Sequence, residues 1–512
     1  MQERASGILL HPSCLPSRGG IGDFGPAAYA FLDFLTEARQ SVWQILPLAP
    51  VGYGNSPYSA LSAFAGNPYL VSLERLAERG WISADRVATL PDGVSPVDYS
   101  QIEAKKMPLL EEAARTFLQE ADPEGRKRFD EFCWLNGWWL EDFVLFLVLR
   151  RLHGSKSWNE WPREFVERRP ETIAKAKQDY GQELSVNRAI QFFFFEQWRA
   201  LHEECRHRGI RVMGDAAIFV SFDSADVWAH PDIFRLNEDL SPEVVAGVPP
   251  DYFSKNGQRW GNPLYRWDVL ASRRYDWWVQ RMKWQLQLCD ILRIDHFRGF
   301  ESYWEIPAEE ETAVKGRWVK GPGEHFFNVL RHELGDMPVV AEDLGMITKD
   351  VVALRDRVGI PGMKVIQFGF GDPGAHMYLP HKYIENTVAY TGTHDNDTCV
   401  GWFENCSGAE REAARHYFGE APDGIHWAMI RAAETSIARL CIIPLQDLLG
   451  LDSNSRMNIP AHPEGNWTWR FKPDALTPEL AKKLAAITDI ADRAPSSSDE
   501  KRHGELRENF AA

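Results

Sequence analysis

Short apolar runs of strand length alternate with stretches of helical periodicity along most of the chain. Ser41–Leu48 (Ser-Val-Trp-Gln-Ile-Leu-Pro-Leu) reads as a buried strand, closed by Pro47 and the turn-forming Gly52–Tyr58 segment. A second strand is expected near Tyr69–Ser72. Further runs lie at Ile210–Gly214, Asp290–Ile294, Val339–Ala341, Lys364–Phe368, Val388–Tyr390 and Ile442–Leu445. Ala27–Arg39 carries Ala30, Phe31, Phe34 and Leu35 on one helical face, while Tyr275–Leu288, Val351–Arg357, Glu410–Phe418 and Ile425–Arg439 read as helices between strands. One short run is weak evidence. Their alternation with helices predicts an α/β chain closed as a (β/α)8 (TIM) barrel.

From about Glu74 to Arg206 charged and apolar residues interleave at helical spacing without a clear strand. The stretch is too long for a single crossover. The expected organisation is therefore residues 1–73 opening the barrel, 74–206 forming a largely helical insertion, and 207–490 completing the barrel with a lid loop near 247–263. Residues 491–512, which include Ala494-Pro495-Ser496-Ser497-Ser498, are expected to form a flexible tail. Little beyond Arg470 reads as strand, so no C-terminal β-sandwich is expected. No G-x-x-x-x-G-K-[ST] phosphate loop occurs.

Composition narrows the function. Lys+Arg 57 against Asp+Glu 73 gives a net charge of −16, which disfavours nucleic-acid or anionic-membrane partners and suits a neutral substrate. The 7 cysteines are scattered, odd in number and without a C-x-x-C pair, which argues against a disulfide scaffold and a thiolate zinc site. With no signal pattern in Met1–Gly20, and with its best apolar run, Phe143–Leu149, too short to cross a bilayer, the chain is expected in the cytoplasm. The 20 tryptophans suit either sugar stacking or core packing, the latter being the commoner fate of any one of them.

Three strand ends deliver carboxylates: Arg293-Ile294-Asp295-His296-Phe297-Arg298-Gly299, Ala341-Glu342-Asp343-Leu344-Gly345 and Thr391-Gly392-Thr393-His394-Asp395-Asn396-Asp397. A barrel keeps its chemistry at that end of its strands. Cleaving a glycosidic bond requires a carboxylate nucleophile and a carboxyl acid/base, so the trio points to sugar chemistry. Arg293 favours the ionised form of Asp295, as a nucleophile needs; the structural alternative is a salt bridge at the mouth. Glu342 or Asp343 could be the acid/base, because spacing does not say which faces inward. Asp395 could grip sugar hydroxyls or cap a helix. His296 and His394 suit hydrogen bonds to sugar or a structural role. A metal-dependent barrel hydrolase is the enzyme rival, yet neither a His-x-His after the first strand nor an H-E-x-x-H is present. No metal or cofactor is expected.

Taken together these segments resemble amylomaltases, the 4-α-glucanotransferases of the wider α-amylase clan. The resemblance also rests on Trp43–Leu48, Gly54-Asn55-Ser56-Pro57-Tyr58, Gly214-Asp215, Asp223–Trp228, Gly247–Ser254, and Gly257-Gln258-Arg259-Trp260-Gly261-Asn262-Pro263. It implies transfer of α-1,4-glucan from a donor to glucose or a maltooligosaccharide acceptor. Asp295 would be the nucleophile, Glu342 the acid/base and Asp395 the transition-state stabiliser. Arg293, His296 and His394 would hold the donor sugar, Asp215 would support them, and Tyr58 would stack beneath that sugar. Tyr252, Phe253, Gln258 and Trp260 would belong to a lid over the acceptor. Ala217, Asp452 and Ala461 depart from the family's usual residues, outside the trio. The rival within the clan is an α-glucan hydrolase.

Overall fold

The computed structural model describes residues 3–91, 96–250, 254–371, 373–462 and 464–495. Its strands in chain order are β1 (Ala5–Leu9), β2 (Val42–Gln44), β3 (Arg211–Ala217), β4 (Val244–Val248), β5 (Gln258–Pro263), β6 (Ile291–Asp295), β7 (Ser302–Pro307), β8 (Arg317–Lys320), β9 (Val339–Ala341), β10 (Gly362–Val365), β11 (Thr387–Tyr390) and β12 (Leu440–Pro444). Eight are parallel neighbours in the order β10-β11-β12-β1-β2-β3-β6-β9, wrapped into a (β/α)8 barrel. The Ala341 N–H donates to the Pro361 carbonyl at 2.9 Å, between the strands at the two ends of that order. Buried on both faces, β9, β11 and β12 read as near-continuous apolar runs instead of alternating ones.

The barrel opens on β1, a strand not among the apolar runs read from the sequence. Gly7 hides the strand from a propensity reading. A Cβ there would lie 2.2 Å from the Val42 carbonyl oxygen, so only glycine lets β1 approach β2. The strand expected at Tyr69–Ser72 is instead a 3-10 turn, Pro68–Leu70. Its surroundings explain why. Gln191 accepts from the Gly66 N–H and donates to its carbonyl, Gln197 does the same for Ser72, and Lys106 Nζ donates to the Tyr69 carbonyl at 2.8 Å. Side chains take the groups that a neighbouring strand would need. The two differences cancel in the count, so Asp295 still ends the fourth barrel strand.

Helices fill most of the chain from Leu73 to His207, among them Met107–Glu120, Pro123–Leu152 and Gly181–His207. Phe117, Phe129, Phe192 and Phe193 pack them together edge to face. Pro123–Leu152 is long and apolar enough, by length and composition, to span a membrane, which the Phe143–Leu149 reading missed. Of its most apolar window 56% is buried inside the protein, where Phe143, Leu145 and Phe146 pack in the main core.

A second sheet, absent from the strand reading, is antiparallel in the order β5-β4-β7-β8. The expected lid thus rises from a β4–β5 hairpin; Tyr252 and Phe253 lie outside the described residues. Among the described residues none after Pro444 is in a strand. The packed body continues past residue 490: Arg493 is fully buried, pairs with Glu434 and donates to the Ala5 and Arg439 carbonyls. Residues 496–512 of the expected tail lie outside the described residues.

Candidate active site

Residues 293 and 295 are two apart on β6 and so project to one side. Asp215 on β3 stands in register with Arg293, and Ala217 with Asp295. The result is a charged ladder inside the barrel mouth. Arg293 Nη1 donates to Asp215 Oδ2 at 2.6 Å and Nη2 to Asp295 Oδ1 at 2.8 Å. The Tyr58 hydroxyl donates to the same Asp215 oxygen at 2.7 Å. The side chain of Asp215 is 0% exposed and that of Asp295 28%, so the guanidinium neutralises one inaccessible carboxylate while steadying one that substrate can reach.

Glu342 enters from β9. Its N–H donates to the Ile294 carbonyl at 2.9 Å and its carbonyl accepts from the Phe297 N–H at 3.1 Å, fixing its backbone beside β6. Its carboxylate accepts from the backbone N–H groups of His296 and Leu344, both at 2.8 Å. The first bond depends on a left-handed residue, His296 at φ 52°, ψ 48°. Holding a non-glycine residue there costs about 1–3 kcal/mol. It turns the chain so that an amide faces the carboxylate. Neighbouring Asp343 goes elsewhere: it is buried against Arg355 and Met363, which answers which of the two acids faces the mouth.

Asp395 follows β11. Asn458 Nδ2 donates to its Oδ1 at 2.6 Å, and His394 Nε2 lies 3.4 Å from its Oδ2. Arg456 donates to its carbonyl at 3.0 Å. Tyr58 stacks on His394 with ring centroids 5.2 Å apart and planes at 14°. On another wall Trp260, in β5, meets His296 edge-on at 4.8 Å, and its indole N–H donates to Gln258 Oε1 at 3.1 Å.

Electrostatics separates the two inner acids. Removal from water raises Asp295 to about 6, against the opposing pull of Arg293. Glu342 is raised further, to about 8, first by loss of hydration and then by the charge of Asp295. Within the pair the proton therefore resides on Glu342. His296 is pushed down to about 3 by burial and by Arg298, so its ring is neutral at ordinary pH. Among the described residues no group of three or more His, Cys, Asp or Glu side chains is placed to hold a metal ion.

A family model described as 4-alpha-glucanotransferase matches residues 10–477. The chain belongs to the 4-alpha-glucanotransferase family. It is 48% identical over 498 residues to the 4-alpha-glucanotransferase of Thermus thermophilus, covering 96% of this chain and 99% of that one. It is 41% identical over 495 residues to the chloroplastic/amyloplastic enzyme of Solanum tuberosum, covering 95% of this chain and 85% of the relative. Among solved structures, the amylomaltase from Streptococcus agalactiae in complex with acarbose superposes with a TM-score of 0.93 at 39% identity, covering 96% of this chain and all of that one.

The mouth of this 4-alpha-glucanotransferase is built from more residues than the strand ends reveal. Asn458 and Arg456 hold Asp395, Trp467 packs against Tyr58 and His394, and Phe219 backs both Trp260 and His296. None follows an apolar run with a carboxylate, so strand-end reasoning passes over them. The contact of Arg456 and Asn458 with Asp395 is tertiary, across more than 60 positions of the chain.

Proposed function

We propose that this 4-α-glucanotransferase works by double displacement at one barrel mouth, with Asp295 as nucleophile, Glu342 as acid/base and Asp395 as transition-state stabiliser. One observation carries the assignment: of two neighbouring carboxyls, Asp295 is bonded to a guanidinium, whereas Glu342 is removed from water beside the Asp295 charge, which outweighs the two amide N–H groups bonded to its carboxylate. Near neutral pH one is the anion that attacks and the other the acid that donates.

In the first step the Asp295 carboxylate attacks C1 of the donor sugar. The bond to the departing O4 breaks as Glu342 gives that oxygen its proton. In the second step Glu342 removes a proton from the 4-hydroxyl of glucose or another maltodextrin. That oxygen displaces Asp295 from C1, and two inversions leave the α configuration intact. Asp395 would hold ring hydroxyls of the distorted donor. Asp215 Oδ1 and His296 Nε2, both buried and without a hydrogen-bond partner among the described residues, suit further sugar hydroxyls. Trp260 would cover the acceptor side with Gln258, favouring sugar over water. A cytoplasmic, reducing setting belongs to the same reading, supported by seven cysteines that all stand unpaired.

Incubating the enzyme with maltotriose alone tests the reaction. Transfer yields glucose together with longer maltodextrins and little net gain in reducing ends; steady reducing-end release would identify a hydrolase instead. Asp295→Asn is expected to abolish turnover while glucan binding is nearly retained. A variant that still turned over would remove Asp295 as nucleophile.

A further inference from the structure

We propose that Asp343, through its bond to Arg355, is a positioning residue for Glu342, clamping the barrel shut at the seam beside it. The inference rests on Glu342 being the acid/base. β9 and β10 are the two ends of the barrel's hydrogen-bonded order, so Glu342 grows from a strand only three residues long at the edge of the ladder. On the β6 side its backbone is fixed by the bonds to Ile294 and Phe297. On the β10 side one backbone bond, from the Ala341 N–H to the Pro361 carbonyl, precedes Glu342, and beyond it a side chain continues the seam. Asp343 Oδ1 accepts from the Met363 N–H at 2.7 Å, a position where a parallel strand would offer a carbonyl.

The other oxygen of that carboxylate accepts from Arg355 Nη1, carried by the helix Lys349–Arg357. The Asp343 side chain is 2% exposed and that of Arg355 12%, so the pair is shielded from competing water. Strand β10 is shaped to admit it. A Cβ on Gly362 would come within 2.5 Å of Asp343 Oδ2 and 2.6 Å of Arg355 Nη1, so any larger residue would drive the carboxylate from the seam. Lys364, on the same strand, adds a second cation near Asp343. Extended neighbours project to opposite sides, so the clamp holds Asp343 in the wall while Glu342 faces the mouth. Loosening it would release the acid/base backbone on one side and leave Asp295, fixed by Arg293 two strands away from β10, in place.

That asymmetry can be read with two substrates. Maltotriose needs Glu342 twice, as acid and then as base. α-Maltosyl fluoride with azide needs it in neither step. Fluoride leaves C1 unprotonated as the bond to Asp295 forms, and azide then forms the C1–N bond as the Asp295 carboxylate departs. For Asp343→Asn and Arg355→Met we expect kcat on maltotriose to fall ~10–100-fold, from a misplacement of about an ångström. α-Maltosyl azide formation should stay within about threefold of wild type, and Arg355→Lys should recover most of the maltotriose rate. Arg355→Met keeps the test alive if Asp343→Asn fails to fold. Parallel losses on both substrates, or none on maltotriose, would overturn the inference. Glu342→Ala separates this from the parent reading. If it spares azide transfer and loses maltotriose turnover while the clamp variants do not, Glu342 stands and the clamp falls; if it loses both reactions alike, the acid/base assignment falls first.

Discussion

Replacing Arg293 with methionine removes the guanidinium shared by Asp215 and Asp295 while keeping much of the side-chain volume. Removing one member of a buried ion pair costs about 3–5 kcal/mol, because the remaining charge is left in a poor solvent. The upper part of that range suits Asp215, whose side chain is 0% exposed; the Tyr58 hydroxyl, still bonded to it, offsets a part. The cost should depend on pH. Without Arg293 the Asp295 carboxyl, already raised by burial, has a folded-state pKa further above its unfolded value near ~4. Protonation then favours the folded form, so the variant is closest to wild type at low pH and loses stability as pH rises through the raised value. Catalysis should change in the same direction. Asp295 stands at about 6 with the arginine present. An adjacent arginine typically lowers a carboxyl pKa by ~1–3, so its loss cuts the ionised share at pH 7 from about nine-tenths to between about a half and about a hundredth. Denaturant unfolding at pH 5 and pH 8, with kcat/KM on maltotriose across pH, would measure both effects. An acid limb unmoved from wild type, or equal destabilisation at the two pH values, would refute the argument.

The wild-type pH–rate profile should be bell-shaped with limbs near about 6 and about 8, belonging to the Asp295–Glu342 pair; Glu342→Gln assayed with α-maltosyl fluoride should lack the alkaline limb. Asp395→Asn should lower kcat by ~10²–10³ with a much smaller change in KM, since its hydroxyl contacts strengthen at the transition state. A variant in which KM alone rises would make Asp395 an ordinary binding residue. Trp260→Ala should raise the share of hydrolysis during maltotriose turnover, visible as a higher ratio of glucose released to longer products formed. An unchanged ratio would count against the indole as a water-excluding wall.

The barrel was legible because apolar runs and helices alternate over hundreds of residues, and no single run had to be right. Where a strand carried a glycine at a tight crossing, as β1 does at Gly7, the pattern failed. It failed again at Tyr69–Ser72, where an apolar run was diverted by glutamines over a hundred residues later in the chain. The antiparallel β4–β5–β7–β8 sheet was missed because its edge strands are polar, as in Gln258–Pro263 and Arg317–Lys320, and so give no apolar run. For the site, position after a strand was enough to nominate Asp295, Glu342 and Asp395. It was silent on Asn458 and Trp467, which reach the mouth from irregular segments.

Sequence by itself determined which strand ends carry acids and that Arg293 and Asp295 share a face, because side-chain direction along a strand follows a period of two. Only the tertiary structure decided between Glu342 and Asp343. That choice depends on how β9 meets β10 across the seam, where a carboxylate, an arginine and a glycine from separate segments converge. It also decided the protonation order of Asp295 and Glu342, since a carboxyl's pKa follows the water and charges around it, and those neighbours are gathered from four different strands.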